Sequence, residues 1–168
     1  MPNPCMSAEN NRNWENAGSH LSYKRVECKG EVLMALVLDL KPGEKVLIGE
    51  AVITNDSQRT RIHIAGDAPI LREKDILQEE EANSPCKRIY FVIQCMYLAR
   101  EPSEYYDKYF EMVKEVQEAA PSTALFFALI NDKIIQGSYY KALKDANELI
   151  KYESELLKKG TEQVEQSG

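Results

Sequence analysis

The spacing of apolar side chains changes once along this chain, near residue 77, and that change limits the possible folds. Between residues 35 and 76 apolar residues form short runs or alternate with polar ones, as Ile62 and Ile64 do, which is typical of β-strands. Beyond residue 77 they recur every three or four positions, as along one face of an α-helix. The sequence therefore predicts an α+β protein, with a small antiparallel β module over residues 34–76 and a four-helix module over residues 77–157.

Short turns divide the β module into strands. Residues 41–44, Lys-Pro-Gly-Glu, follow a first apolar strand, and they favour a turn because Pro fixes one φ and Gly allows a positive one. Residues 46–54 form a second β segment, in which Gly49 predicts a bend or a bulge. A strand over residues 60–64 and a last strand beginning at Pro69 complete a compact predicted meander.

Local signals also divide the helical module. Ser84–Pro85 is a favourable N-cap and first-turn pair and predicts where the first helix begins. Breaks at residues 101–103 and at Pro121 separate the next two helices, and Gly137 is a natural residue to end the third. A fourth helix is predicted over about 138–157.

The two ends of the chain differ from the rest. Residues 1–33 are polar, rich in Asn and without periodicity, which predicts a disordered tail. They are also interpreted as a mis-annotated leader, because codons for residues 29–31 form a purine run that resembles a bacterial ribosome-binding site just before Met34. Residues 158–168 are predicted to be a polar tail.

Charge and composition exclude several classes of protein. The net charge of −6 argues against broad, nonspecific nucleic-acid binding, so any RNA site must be small and local. Most of that charge lies in residues 77–168, with 11 basic and 16 acidic side chains. The apolar runs are too short to cross a bilayer, and no secretory signal is recognisable. The four cysteines form no disulfide framework, which favours reduced thiols in the cytoplasm.

The residues that enzymes use are sparse, so no catalytic activity and no cofactor is predicted. Of the two histidines, His63 is predicted to be a surface residue. The glycines do not form a phosphate-binding loop, and no Cys/His spacing fits a zinc site. Cys86 lies near a predicted helix N-terminus, which could lower its pKa, but no base is near it in sequence.

Several tyrosines of the helical module invite a base-stacking interpretation. Their spacing fits a packed core or a protein interface better than a stacking platform. These residues are Tyr105, Tyr106, Tyr109, Tyr139 and Tyr140.

Arg72 closes the last predicted strand, and two interpretations of it remain open. In the first, it forms a surface ion pair with Glu73, Asp75 or an acid on a neighbouring strand. In the second, its guanidinium lies on a sheet edge and binds a base edge or a phosphate in a bidentate way. Lys74 and Lys41 would then contribute further positive charge.

The β module resembles the carbon storage regulator family, CsrA, whose members are small dimeric β proteins that bind GGA-containing loops of messenger leaders. The resemblance rests on LVL at 36–38, PGEKVLIG at 42–49, TRIHI at 60–64 and LREKDI at 71–76. It implies that the first strand of one subunit lies beside the last strand of the other, with RNA along this composite edge.

Carried onto this chain, the resemblance implies an RNA-binding surface on the first and last strands. One departure from that family is Asp39-Leu40-Lys41, where a Thr-Arg-Arg is usual, so fewer phosphate contacts and weaker binding are expected. The implied RNA-binding residues are Arg72, Leu71, Ile70, Leu38, Leu36, Lys41 and Lys74.

A second resemblance covers nearly all of residues 34–157. MALVLDLKPGEKVLIGEAVITND, IAGDAPILREKDIL, SPCKRIYFVIQCMYL, YKAL and IKYESELL are similar to the flagellum biosynthesis repressor FlbT family. That resemblance implies a cytoplasmic, post-transcriptional regulator that associates with the 5′ untranslated region of flagellin mRNA and represses its translation or promotes its degradation. It implies the flagellin leader as partner and no membrane, and the CsrA resemblance implies a homodimer. The alternative is a helical adaptor that binds another flagellar protein and affects RNA only indirectly.

Overall fold

The computed structural model describes residues 22–28 and 31–165, with side chains from residue 35 to 159. Six strands precede four helices, which confirms the predicted α+β class. The strands are β1 Ser22–Cys28, β2 Glu31–Leu40, β3 Lys45–Ile48, β4 Ala51–Thr54, β5 Thr60–Ala65 and β6 Ile70–Arg72. The helices are α1 Pro85–Leu98, α2 Tyr106–Ala119, α3 Ala124–Ile135 and α4 Tyr139–Glu165.

The strands form two antiparallel three-stranded sheets rather than one meander. One sheet has the order β1-β2-β5 and the other has the order β4-β3-β6. The predicted second segment is divided because Gly49, at a φ of +60°, turns the chain between β3 and β4. Strand pairing brings Asp39 opposite Arg61 and Val46 opposite Arg72. The meander was therefore wrong in its pairing, although the strand positions were close.

Apolar side chains from both sheets form one small core. Leu38, Leu40 and Val46 are buried at its centre. Half-buried side chains from β2, β3, β5 and β6 surround them: Leu36, Ile48, Ile62, Ile64 and Ile70. The inner face of each sheet is thus covered by the other sheet.

The larger core lies among the helices, and the β module contributes to it. Ile89, Phe127, Ile130 and Leu149 are among its fully buried side chains. Leu71 of β6 is buried in the same core, although it lies in the segment assigned to the β module. β6 therefore packs one face against the core between the sheets, through Ile70, and the other face against the helical core, through Leu71.

Three polar side chains of α1 hold the segment that contains and follows β6. The Tyr97 hydroxyl accepts a hydrogen bond from the backbone N–H of Ile70 at 2.9 Å. The Tyr90 hydroxyl donates to the carbonyl of Asp75 at 2.7 Å. The buried Gln94 side chain bonds twice to the backbone of Leu77. Its Oε1 accepts from the Leu77 N–H at 2.9 Å, and its Nε2 donates to the Leu77 C=O at 3.0 Å. We call these three side chains the α1 clasp.

The helix boundaries follow the local signals, except at the C-terminal end. Ser84 caps α1 by accepting a hydrogen bond from the backbone N–H of Lys87, as predicted. Gly137 has a φ of +66° just after α3, also as predicted. The helix α4 continues to Glu165, into the segment that was predicted to be a polar tail. Lys and Glu are favourable helix residues, and the solvated end of a helix needs no apolar face.

The N-terminal segment departs from its predicted disorder. Residues 22–28 form β1, which pairs along residues 31–37 of β2. β1 supplies backbone hydrogen-bonding partners to β2 on the side away from β5. The disorder prediction is wrong for these residues, whereas residues 1–21 lie outside the described part of the chain. The interpretation of Met34 as the start stays a prediction.

Candidate nucleic-acid interface

Arg61 on β5 and Asp39 on β2 form the centre of a charged cluster. Their positions face each other across the strand pair, and Arg61 binds both carboxylate oxygens, with Nε at 2.9 Å and Nη2 at 3.2 Å. The pair is open to solvent. The hydrogen bond from Arg61 lowers the pKa of Asp39; desolvation opposes it, and the charges of Arg61, Arg59 and Arg72 each lower it by less. Three guanidinium groups therefore act on one carboxylate.

Arg72 lies at the inner side of the same cluster. Its Nη1 donates to Glu44 Oε1 at 3.2 Å, and its Nη2 donates to the backbone carbonyl of Asp39 at 3.2 Å. Only 27% of the Arg72 side chain and 19% of the Glu44 side chain are exposed. Of the two interpretations of Arg72, the geometry matches the ion pair, with Glu44 beside the neighbouring strand as the acid. A guanidinium bound in this way is not free for bidentate RNA recognition.

Two of the predicted apolar contacts are closed to RNA. Leu38 and Leu71 are each 1% exposed, because Leu38 lies between the two sheets and Leu71 lies under the helices. Their assignment to the RNA surface was wrong. Leu36 and Ile70 are half-buried and pack on the core between the sheets.

The predicted lysines remain accessible. Lys41 is exposed in the turn after β2, and Lys74 is exposed just after β6. Arg72 bonds to the carbonyl of Asp39, but β6 pairs with β3 and lies in a different sheet from β2, so the first and last strands are not paired as the resemblance implied.

The edge of β2 that the composite surface would use is partly covered. Residues 31–37 of β2 pair with β1 on one side, and residues 35–40 pair with β5 on the other. A strand from a second copy could pair with β2 on the β1 side only beyond residue 37. The homodimer stays a prediction.

Exposed basic side chains on and beside β5 were missed as candidates. Arg59, Arg61 and His63 are exposed, and the last two point to the same face because they are two residues apart on a strand. The alternation of Arg61 and His63 was visible in the sequence. The pairing of β5 with β2, beside Asp39, brings Arg59 and Arg61 toward Arg72. This pairing depends on strand order, which could not be predicted from the sequence.

Cys86 does not fit a reactive role. Burial, and secondarily the charge of Glu153 and a hydrogen bond with it, raise the pKa of the Cys86 thiol to about 12. Glu153 reaches from α4 to the start of α1, where it accepts from Ser84 Oγ at 2.5 Å and from the backbone N–H of Cys86 at 3.0 Å. The Glu153 carboxylate, and not the Cys86 thiol, therefore interacts with the N-terminus of α1.

The tyrosines pack in the helical module. Tyr109 is fully buried and donates its hydroxyl proton to Asn131 Oδ1 at 2.7 Å. Tyr106 and Tyr139 share a hydrogen bond of 2.7 Å between their hydroxyls. These residues, with Tyr105 and Tyr140, lie in or against the helical core, which confirms the core interpretation over base stacking.

Two kinds of feature are absent from residues 22–28 and 31–165. Within these ranges, no three acidic, Cys or His side chains are grouped as a metal site. No helix there combines the length and the apolar character that a bilayer crossing needs.

Fold and site together describe an α+β protein in which a helical bundle supports a β module with an exposed basic strand. The family model described as "Flagellar protein FlbT" matches residues 36–157. The chain therefore belongs to the FlbT family of flagellar proteins.

Individual relatives agree with that assignment. The chain is 49% identical over 124 residues to a probable flagellum biosynthesis repressor protein FlbT of Rhodopseudomonas palustris, covering 74% of this chain and 98% of that protein. It is 45% identical over 124 residues to one of Bradyrhizobium diazoefficiens, covering 73% and 85%. Identity to the flagellum biosynthesis repressor protein FlbT of Caulobacter vibrioides is 34% over 127 residues, covering 74% and 90%. No solved structure matches the chain.

Proposed function

We propose that this protein represses flagellin synthesis after transcription, by binding the 5′ untranslated region of flagellin mRNA in the cytoplasm. Bound protein would reduce translation of the message or promote its degradation. Family membership and the names of the relatives, flagellum biosynthesis repressors, support a repressor role. The mode of repression rests on the surface of the β module.

The observation that carries the proposal is the excess of positive charge around Asp39. Arg59, Arg61 and Arg72 all act on this carboxylate, and Glu44 is the second acid in the cluster. Arg61 and Arg72 are paired with the two carboxylates, so the charge of Arg59 is the local excess, on a protein whose net charge is −6. A local surface of this kind attracts phosphates while the rest of the chain repels them.

The arginines of the cluster have different roles. Arg72 holds Glu44 and the end of β2 in place. Arg59 and Arg61 are exposed, so each can contact a phosphate, and Arg61 can do so with part of its fork while it still holds Asp39. His63, on the same face as Arg61, is placed to stack on or hydrogen-bond a neighbouring base. A leader RNA bound at this surface would be less accessible to the ribosome or more accessible to nucleases.

A mobility-shift titration with purified protein and the flagellin leader RNA tests this proposal. Removing Arg59 and Arg61 together, as the double Ala variant, should weaken binding and reduce the salt slope by about 1 for each phosphate that the variant no longer binds. The matched control is Arg100→Ala, because Arg100 is also exposed and paired with an acid, Glu50, but lies at the end of α1. That variant should bind as the wild type does.

Equal binding by the double variant and the wild type would remove the β5 surface from the mechanism. No binding by the wild type, at salt concentrations where the protein is folded, would contradict direct action on RNA.

A second candidate is a protein-interaction adaptor that affects the message indirectly. It is favoured by exposed apolar side chains on α3: Leu125, Leu129 and Ile135. Such groups on a surface helix mark contact sites for proteins more often than for RNA. In this case, the purified wild-type protein would not bind the leader RNA. Substitutions on α3 would nevertheless abolish repression in cells.

A further inference from the structure

Asn55 joins the turn after β2 to the loop after β4. Its side-chain amide donates hydrogen bonds to three backbone carbonyls, those of Leu40 at 3.1 Å, Lys41 at 2.9 Å and Gln58 at 2.8 Å. An amide has two N–H groups, so one of them is shared between two carbonyls. The backbone N–H of Asn55 also donates to the carbonyl of Glu44 at 2.9 Å. One half-buried side chain therefore fixes two loops relative to each other.

This link holds two exposed cations at the same end of the β1-β2-β5 sheet. Strand pairing ends with Leu40 opposite Thr60. Lys41 comes one residue after that pair, and Arg59 comes one residue before it on the other strand. Asn55 bonds to the carbonyl of Lys41 and to that of the residue before Arg59, so the two main chains stay together beyond the strands. Both basic side chains are exposed.

Neither of these two cations forms an ion pair with a carboxylate among the side chains that the structure describes. Two of the acids nearby have other partners: Glu44 binds Arg72, and Asp39 binds Arg61. Asp56, in the same loop, pairs with neither cation. Like charges that lie opposite each other at neighbouring strands destabilise the pairing. The fold thus keeps two positive charges together without an acid between them, which favours binding of an anion.

We propose that Lys41 and Arg59 together bind one phosphate of the RNA, and that Asn55 is the residue that positions them. The inference rests on the proposed function and adds to it a contact on the β2 side of Arg59. The guanidinium binds the phosphate from one strand end, and the flexible lysine stem brings its ammonium to the same phosphate from the other. Without the Asn55 amide, repulsion between the two cations would separate the ends of β2 and β5.

Mobility-shift titrations with the leader RNA over a salt series test the shared phosphate. Lys41→Gln and Arg59→Gln should each weaken binding and lower the salt slope by the value of about one phosphate contact. The double variant should lose little more than either single one, because both side chains serve the same phosphate. Lys114→Gln is the matched control. It removes the same charge from an exposed site on α2 and should bind as the wild type does.

Asn55→Ala tests the positioning role. It removes the amide donors and keeps the backbone bond to the turn, so the variant should fold, which a circular dichroism melt verifies. Its salt slope should fall as in Lys41→Gln, and adding Lys41→Gln to it should change nothing further. A residue that only stabilises the fold would lower the melting temperature and leave the salt slope of the folded protein unchanged. Asn83→Ala, at an exposed asparagine before α1, is the control and should leave the slope unchanged.

The outcomes separate this inference from the proposed function. If Lys41→Gln binds as the wild type does while removal of Arg59 and Arg61 weakens binding, the phosphate pair is overturned and the function stands. Additive losses in the double variant overturn the shared phosphate. An unchanged salt slope in Asn55→Ala overturns the positioning role. A wild type that does not bind the leader overturns the function and this inference together.

Discussion

At the scale of single residues, two arginines of the same cluster differ in what surrounds them. Arg61 and Asp39 are 56% and 37% exposed, so water competes with their pairing. Arg72 and Glu44 are about half as exposed, and Arg72 also bonds to a backbone carbonyl. We therefore infer that the first arginine is available to a ligand and that the second one supports the fold.

Arg72→Ala should destabilise the protein. It leaves the half-buried carboxylate of Glu44 without its charged partner, with only the Lys41 backbone N–H still bonded to it, and hydrogen bonds to charged groups contribute about 1.5–3 kcal/mol. Urea unfolding should show a loss of about 1–3 kcal/mol in the free energy of unfolding. Arg61→Ala is the control and should cost less than about 1 kcal/mol. Equal losses would contradict the distinction between the two arginines.

The Cys86 thiol should make stability fall in alkaline solution. Its pKa is raised from 9.0 to about 12 by burial and by Glu153, so the folded state keeps a proton that the unfolded state releases between these values. The stabilisation is complete below the unfolded pKa and is lost as pH rises toward the folded pKa. Urea unfolding at about pH 8 and about pH 10 should show a larger loss for wild type than for Cys86→Ala. Identical losses would mean that the thiol is as ionisable as a free one.

At the scale of elements, helices could be predicted and sheet pairing could not. Ser84, Pro121 and Gly137 signal helix boundaries through bonds to residues a few positions away, and those signals were correct. Pairing of β3 with β6 joins residues 46 and 72, and nothing within either strand specifies its partner. The site residues depend on such pairing. The sequence therefore indicated Arg72 as special without indicating Glu44, and it placed Leu38 and Leu71 on a surface that the other sheet and the helices cover.

The α1 clasp should be a major link between β6 and the helices. Gln94→Ala leaves the half-buried N–H and C=O of Leu77 without partners, and each unsatisfied group costs about 1–3 kcal/mol. We expect a lower free energy of unfolding and faster hydrogen exchange at the Leu77 amide. The control is Gln117→Ala on α2, a half-buried glutamine that should change neither measurement. Unchanged exchange at Leu77 in Gln94→Ala would contradict the clasp.

At the scale of the whole molecule, charge and apolar surface lie in different places. Arg59, Arg61 and His63 are exposed on and beside β5, whereas exposed apolar side chains, such as Leu125 and Leu129, lie on α3. The acidic side chains are mainly in the helical module, which keeps the protein from binding nucleic acid nonspecifically.

RNA binding should respond steeply to salt. For a tenfold rise in salt, RNA affinity should fall by about fivefold for each phosphate contact to a single strand. Mobility shifts over a salt series measure this dependence. An affinity that does not change with salt would contradict phosphate contacts by Arg59 and Arg61.

The α1 clasp also affects which positions tolerate substitution. Tyr97, Tyr90 and Gln94 bind main-chain atoms of residues 70, 75 and 77, and main-chain atoms are the same for nearly every amino acid. A saturation library should therefore tolerate little at position 94 and more at position 77, although the two residues touch. Proline is the exception, because at position 70 or 77 it would delete the N–H that the helix recognises.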